Sequence, residues 1–92
     1  MAKVAVLLYG ALARAAGEKR VEMEADTILE ALEALAGRFG DGFRHRLFDD
    51  RGTPKRFISI YVNGRDIRFL NRFETRLNDG DTVSVIPAVS RG

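Results

Sequence analysis

The segment Val4-Ala5-Val6-Leu7-Leu8-Tyr9 is apolar at every position. Side chains of a strand alternate between the two faces of its sheet, so an apolar residue on both parities suits burial on both faces. This places the run in the middle of a sheet. Gly10 ends it. Ala11 to Ala16 is short and rich in small side chains, enough for one helical turn, and Gly17 closes it. Lys19 to Ala25 then alternates, with Val21, Met23 and Ala25 facing one way and Arg20, Glu22 and Glu24 the other. That period of two predicts a half-buried antiparallel strand. The two strands read as a hairpin joined by a long loop.

A helix follows. Thr27-Ile28-Leu29-Glu30 fits a capping box, with Thr27 as the N-cap and Glu30 reaching back, and Asp26 complements the positive helix end. Ile28, Leu29, Leu32, Leu35, Ala36 and Phe39 recur at spacings of three and four and form one apolar stripe. Gly40-Asp41-Gly42 is expected to stop the helix. Phe43 to Phe48 reads as a second, short helix burying Phe43 and Leu47, and Asp49 to Lys55, with Gly52 and Pro54, as an exposed loop.

Phe57 to Val62 is the third strand, with Ile58, Ile60 and Val62 on its core face. Asn63-Gly64 signals a type I′ turn, whose two central residues both need positive φ. Arg65 to Phe69 is expected to continue as a short strand, and Leu70 to Leu77 to be irregular. Asn78-Asp79-Gly80-Asp81 is a turn and Thr82 to Ile86 the last strand, ended by Pro87. The order is strand, strand, helix, strand, short strand, strand. A mixed sheet of four to five strands must then cover the stripe of one main helix, an α+β arrangement of the β-grasp kind with the last strand central beside the first. The 92 residues make one domain, 1–92, with 87–92 as a C-terminal tail expected to be flexible.

Composition narrows the chemistry. Without cysteine, disulfides, thiol catalysis and cysteine-bound zinc are excluded, and a single histidine rules out a two-histidine metal site. No apolar run approaches the roughly 20 residues of a membrane span. Met1-Ala2-Lys3 leads directly into strand-like residues without a signal-peptide core, so the expected location is cytoplasmic. Charge is uneven, at −2 over residues 1–42 and +4 over residues 43–92. Arg51, Lys55, Arg56, Arg65, Arg68, Arg72 and Arg76 offer a basic face to an acidic partner protein or to nucleic acid, unless they simply form a solvated surface.

No conventional active site emerges. His45, between Arg44 and Arg46, has no local partner to organise it as a base, and reads as a surface histidine. Asp79-Gly80-Asp81 lacks the remaining ligands of a calcium loop and reads as turn chemistry. The glycines form no phosphate-binding loop. The six phenylalanines are mostly expected in the core. The C-terminus is more informative. Gly92 has no Cβ to obstruct a narrow channel, and its α-carboxylate is ionised at neutral pH and must be activated before it reacts.

The stretch Arg56 to Phe69, including Val62-Asn63-Gly64, and the ending Leu77-Asn78-Asp79-Gly80-Asp81 through Ile86-Pro87-Ala88-Val89 resemble the ubiquitin-like sulfur carriers of the MoaD/ThiS type. The resemblance covers essentially the whole chain. The pattern is most similar to the carrier of an actinobacterial cysteine-synthesis route; molybdopterin-type members more often show two prolines where this chain has Pro87-Ala88.

The resemblance implies a ubiquitin-like β-grasp that is a substrate and partner of enzymes rather than an enzyme. An E1-like enzyme, using Mg and ATP, would adenylate the carboxylate of Gly92. Sulfide or a persulfide would then replace AMP to give a thiocarboxylate. Pro87, Ala88, Val89, Ser90 and Arg91 would thread into the partners, and Arg65, Arg68 and Phe69 are docking candidates. The sulfur acceptor would be a cysteine synthase, or next a molybdopterin synthase large subunit. No bound cofactor, metal or membrane is implied. Family members typically end Gly-Gly; Gly92 corresponds to the terminal glycine, and Arg91 departs from the penultimate one. A ubiquitin-like protein modifier is the alternative, and a nucleic-acid-binding module a more distant one.

Overall fold

The apolar run at the start becomes β1 (Lys3–Leu8), followed by α1 (Gly10–Ala16) and β2 (Arg20–Glu24). The computed structural model describes residues 1–87. Helices α2 (Ile28–Phe39) and α3 (Asp41–Leu47) come next, then β3 (Ser59–Val62), β4 (Arg65–Asp66) and β5 (Thr82–Ile86). The five strands form one mixed sheet in the order β2-β1-β5-β3-β4. β5 is parallel to β1 and antiparallel to β3, so the last strand sits centrally beside the first. This is the β-grasp arrangement expected from the order of elements.

Val4, Val6, Leu8, Val21, Ile60, Val62, Val83 and Val85 point to one face of the sheet and pack with Ile28, Leu32, Leu35 and Ala36 of α2 in a single core. Leu12 of α1 and Phe43 and Leu47 of α3 join the same core. All three helices therefore cover one face. On the other face Ala5 is buried, but Leu7, Tyr61, Ser84 and Ile86 are half-buried. The double-parity run of β1 thus reflects its place inside the sheet. The neighbouring strands shield the small Ala5, and no second helical layer among the described residues is needed.

Local chemistry explains most boundaries. Thr27 Oγ1 accepts from Glu30 N–H at 3.2 Å, as an N-cap does. The reciprocal half of the capping box is shifted by one residue, because Glu30 Oε1 accepts from Asp26 N–H at 2.9 Å. Asp26 Oδ1 in turn accepts from Ala2 N–H at 3.0 Å, which ties the helix start to the start of β1. Gly40, with φ of 90°, ends α2 without a loop. Asp41 and Gly42, expected as part of the stop, instead open α3 two residues earlier than the sequence suggested. Phe39 and Phe43 meet across this break with ring centroids 5.2 Å apart.

Three further expectations change. Leu29 lies at the margin of the helical stripe and is exposed. Phe57 is also exposed, because β3 begins at Ser59. The expected strand 65–69 lasts two residues. Asp66 Oδ1 accepts from Arg68 N–H at 2.9 Å and draws Ile67–Phe69 into a 3₁₀ turn, which buries Ile67 and turns Phe69 outward. A second 3₁₀ turn, Arg72–Glu74, interrupts the segment read as irregular. The tail expected over Ala88, Val89, Ser90, Arg91 and Gly92 lies outside the described residues.

Leu35 is fully buried and Leu29 is not. Leu35→Ala is expected to cost about 2–5 kcal/mol in urea unfolding. Leu29→Ala is expected to stay within about 1 kcal/mol of the parent, since it leaves no cavity.

Candidate functional site

β5 holds the chain at both ends before releasing it. At its start, Asp79 Oδ1 accepts from Lys3 N–H at 2.8 Å, and Lys3 O accepts from Gly80 N–H at 2.9 Å. Asp81 accepts from Asn78 N–H at 2.8 Å through Oδ2 and from Asn63 Nδ2 at 2.9 Å through Oδ1. Asn63 Oδ1 completes the link by accepting from Thr82 N–H at 2.9 Å. The Asp-Gly-Asp turn therefore joins β1, β5 and the β3–β4 hairpin, and its carboxylates serve structure. Asn63 and Gly64 have φ of 52° and 85°, as the two-residue turn requires.

At the other end, Leu8 pairs with Val85 and Ser59 with Ile86. Pro87 has no N–H to continue the ladder. The chain thus leaves the sheet between the residues that follow β1 and those that precede β3. Tyr9 and Phe57 occupy these flanks and are 43% and 72% exposed. The 3₁₀ turn returns along β3 from the hairpin toward the same end, where Phe69 and Leu70 are also exposed. Four of the six large apolar side chains exposed among the described residues are these, and the strand register puts Tyr9 and Phe57 on either side of the chain's exit. Apolar surface left exposed beside the exit is a candidate for partner contact.

The docking candidates separate. Phe69, 86% exposed, stands outward on the 3₁₀ turn that follows β4. Arg65 pairs with Val62 at the hairpin, the end of the sheet away from Pro87. Arg68 turns back onto Asp66, with Nη2 at 2.7 Å from Oδ2 and Nε at 3.1 Å from Oδ1. These side-chain bonds, and then the Arg68 backbone N–H, hold the Asp66 carboxyl below its ordinary pKa, and the pair raises that of Arg68. Arg68 thus presents a largely neutralised charge. The flanks of the exit were hidden in the sequence. Phe57 and Tyr9 read as strand residues, and only the pairing register brings them to the tail.

Elsewhere, His45 is exposed on α3. An open groove of about 500 Å³ lies at the opposite end of the sheet, lined by Lys3, Arg20, Glu22, Glu24 and Thr82 among others. It holds no nucleophile paired with a base. Among the described residues no group of acidic or histidine side chains is placed to hold a metal ion. No described helix is long and apolar enough to cross a membrane.

The family model for the ThiS family matches residues 6–92. The chain belongs to the ThiS family. This ThiS-family chain is 37% identical over 78 residues to sulfur carrier protein CysO of Mycobacterium tuberculosis, a match covering 83% of each protein. Its structure is similar to the solution structure of small archaeal modifier protein 1 from Methanosarcina acetivorans, with a TM-score of 0.89, 30% identity, and 100% and 98% of the two chains covered. It also resembles a chain of the Amycolatopsis orientalis BexX/CysO complex, with a TM-score of 0.81, 37% identity, and coverage of 97% and 99%. The ubiquitin-like β-grasp is thereby established for this ThiS-family chain.

A carboxylate whose folded pKa is depressed stabilises the fold above its unfolded pKa, and that contribution disappears as pH falls through the lowered value. The Asp66–Arg68 pair therefore belongs to the neutral and mildly acidic range and is lost in stronger acid. In Arg68→Ala the Asp66 titration, followed by carboxyl NMR, is expected to move up toward that of an ordinary aspartate. An unchanged titration would show that the pair is not formed in solution.

Proposed function

We propose that this chain is a sulfur carrier whose reactive group is the α-carboxylate of Gly92. The observation that carries this reading is the likeness to sulfur carrier protein CysO over 83% of the chain, within a family match that runs through Gly92. The fold supports it physically: the sheet holds β5 at both ends and delivers the chain at Pro87, between the exposed Tyr9 and Phe57. The domain is the handle and the tail does the chemistry.

In the proposed cycle an E1-like enzyme joins a Gly92 carboxylate oxygen to the α-phosphate of Mg-bound ATP and releases pyrophosphate. Hydrosulfide then attacks the acyl carbon and AMP leaves, giving the thiocarboxylate; a persulfide donor would instead give an acyl disulfide, whose S–S bond a second thiol reduces, releasing the thiocarboxylate and leaving the donor as a disulfide. The tail Pro87, Ala88, Val89, Ser90 and Arg91 threads into the acceptor. Phe57 and Phe69 make the apolar contact; Arg68, next to Phe69, keeps its pair with Asp66, and Arg65 lies at the far, hairpin end of the sheet. The BexX/CysO complex is a carrier assembled with a second protein, which supports a partner-bound mode of action. A cysteine synthase is the preferred acceptor and a molybdopterin synthase large subunit the second, and ATP-dependent activation places the work in the cytoplasm. Arg91 calls for a channel wider or more acidic than a Gly-Gly tail requires.

The likeness to a small archaeal modifier protein favours one second reading, attachment of Gly92 to lysines of other proteins. The two differ in product. Incubation with the E1-like enzyme of the same genome, Mg-ATP and sulfide is expected to raise the mass of the intact chain by one oxygen exchanged for sulfur, localised to Gly92. A Gly92 remnant on cellular lysines, without that exchange, would replace the carrier reading by the modifier reading. Removal of Arg91 and Gly92 is expected to leave the melting temperature unchanged and abolish the mass shift.

A further inference from the structure

Pro87 sits on Gly10. A Cβ built at position 10 would stand 3.3 Å from Pro87 Cγ and 3.9 Å from Pro87 Cδ. Among the described glycines, Gly10 alone would meet a neighbour within 4 Å. The other described glycines have no neighbour within 4 Å of that position. Gly10 also has φ of +56°, in the left-handed region that glycine enters without steric cost. It opens α1, where Tyr9 O accepts from Leu12 N–H at 3.1 Å, and Leu12 is fully buried. The surface beneath the proline ring is therefore fixed to the core.

This contact matters because of what Pro87 lacks. Strand pairing aims the chain through Ile86, and Pro87 then removes the N–H that would continue the ladder. Two constraints remain at this point: the narrow φ of the ring itself, and whatever the ring rests against. We propose that Gly10 is a positioning residue for the tail. Its bare backbone seats the Pro87 ring and so sets the direction in which the chain leaves β5 toward Gly92. The glycine is needed for space as well as for its φ. The consequence for chemistry rests on the carrier reading above, since a misaimed tail reaches the partner's channel less often.

Gly10→Ala, Pro87→Ala and the double variant test this. Ala at position 87 lacks the two ring atoms that a Cβ at position 10 would crowd. By NMR, the parent is expected to show contacts from the Gly10 Hα protons to the Pro87 ring. Gly10→Ala is expected to shift the Ala88 and Val89 amides while core signals stay in place. With the E1-like enzyme and Mg-ATP, followed by pyrophosphate release, Gly10→Ala is expected to raise the carrier's KM about tenfold with kcat little changed. In the Pro87→Ala background the same substitution is expected to add less than about twofold, the non-additivity of residues in contact.

Equal penalties in both backgrounds would assign the cost to backbone strain at position 10 and overturn the seat. Absence of the Gly10–Pro87 contacts in the parent would overturn it as well. Pro87→Ala leaves position 10 untouched and carries the test if Gly10→Ala does not fold. Its expected result is a raised KM at unchanged melting temperature, and an unchanged KM overturns the proposal. A parent that is never adenylated would sink the carrier reading, while the NMR contacts and the Ala88 shifts still decide the seat.

Discussion

The fold depends on β5 entering between β1 and β3. Before it enters, β1 and β3 share no ladder, and the sheet consists of two separate hairpins. β5 is parallel to β1 and antiparallel to β3, and Val83 and Val85, both fully buried, close the core between Val6 and Leu8 on one side and Ile60 and Val62 on the other. The strand that joins the sheet is also the strand that ends in the tail. Under the proposed function this suits a carrier, because the root of the tail is a strand paired on both sides.

The polar contacts at the start of β5 serve the same purpose. Asp79, Asp81 and Asn63 bond to Lys3, Asn78 and Thr82, which fixes the register of β5 against both neighbours. A slip of one residue would exchange Val83 and Val85 for Thr82 and Ser84 in the core. With the register set at the first residues, Ile86 and Pro87 fall at one place on the rim. There Tyr9 and Phe57 leave apolar surface exposed.

Much of this was legible from local chemistry. The double-parity run of β1, the alternation of β2, the Thr27 cap with its apolar stripe and the Asn63-Gly64 turn each depend on near neighbours in the chain, and each formed. The failures also have local origins, but weaker ones. Arg65 to Phe69 alternates like a strand, yet one Asp66 side chain bonding to Arg68 N–H converts it to a 3₁₀ turn. Gly40 was one residue of a presumed three-residue stop, and by itself it suffices to separate two helices. The proposed role of Gly92 rests on the resemblance. The flanks of the exit were not legible, because Tyr9 and Phe57 are far apart in sequence and come to either side of β5 only through strand pairing.

By itself, then, the sequence determined most of the elements and the β-grasp order. Periodicity, capping and turn residues act over a few positions, and a family resemblance is written in the same short motifs. Only the tertiary structure decided which exposed side chains surround the root of the tail, that Arg68 spends its charge on Asp66, and that Gly10 lies beneath Pro87. Gly10 and Pro87 are separated by nearly the whole chain, and no local pattern connects them. Their contact exists because β1 and β5 run parallel, side by side, and finish at the same edge of the sheet.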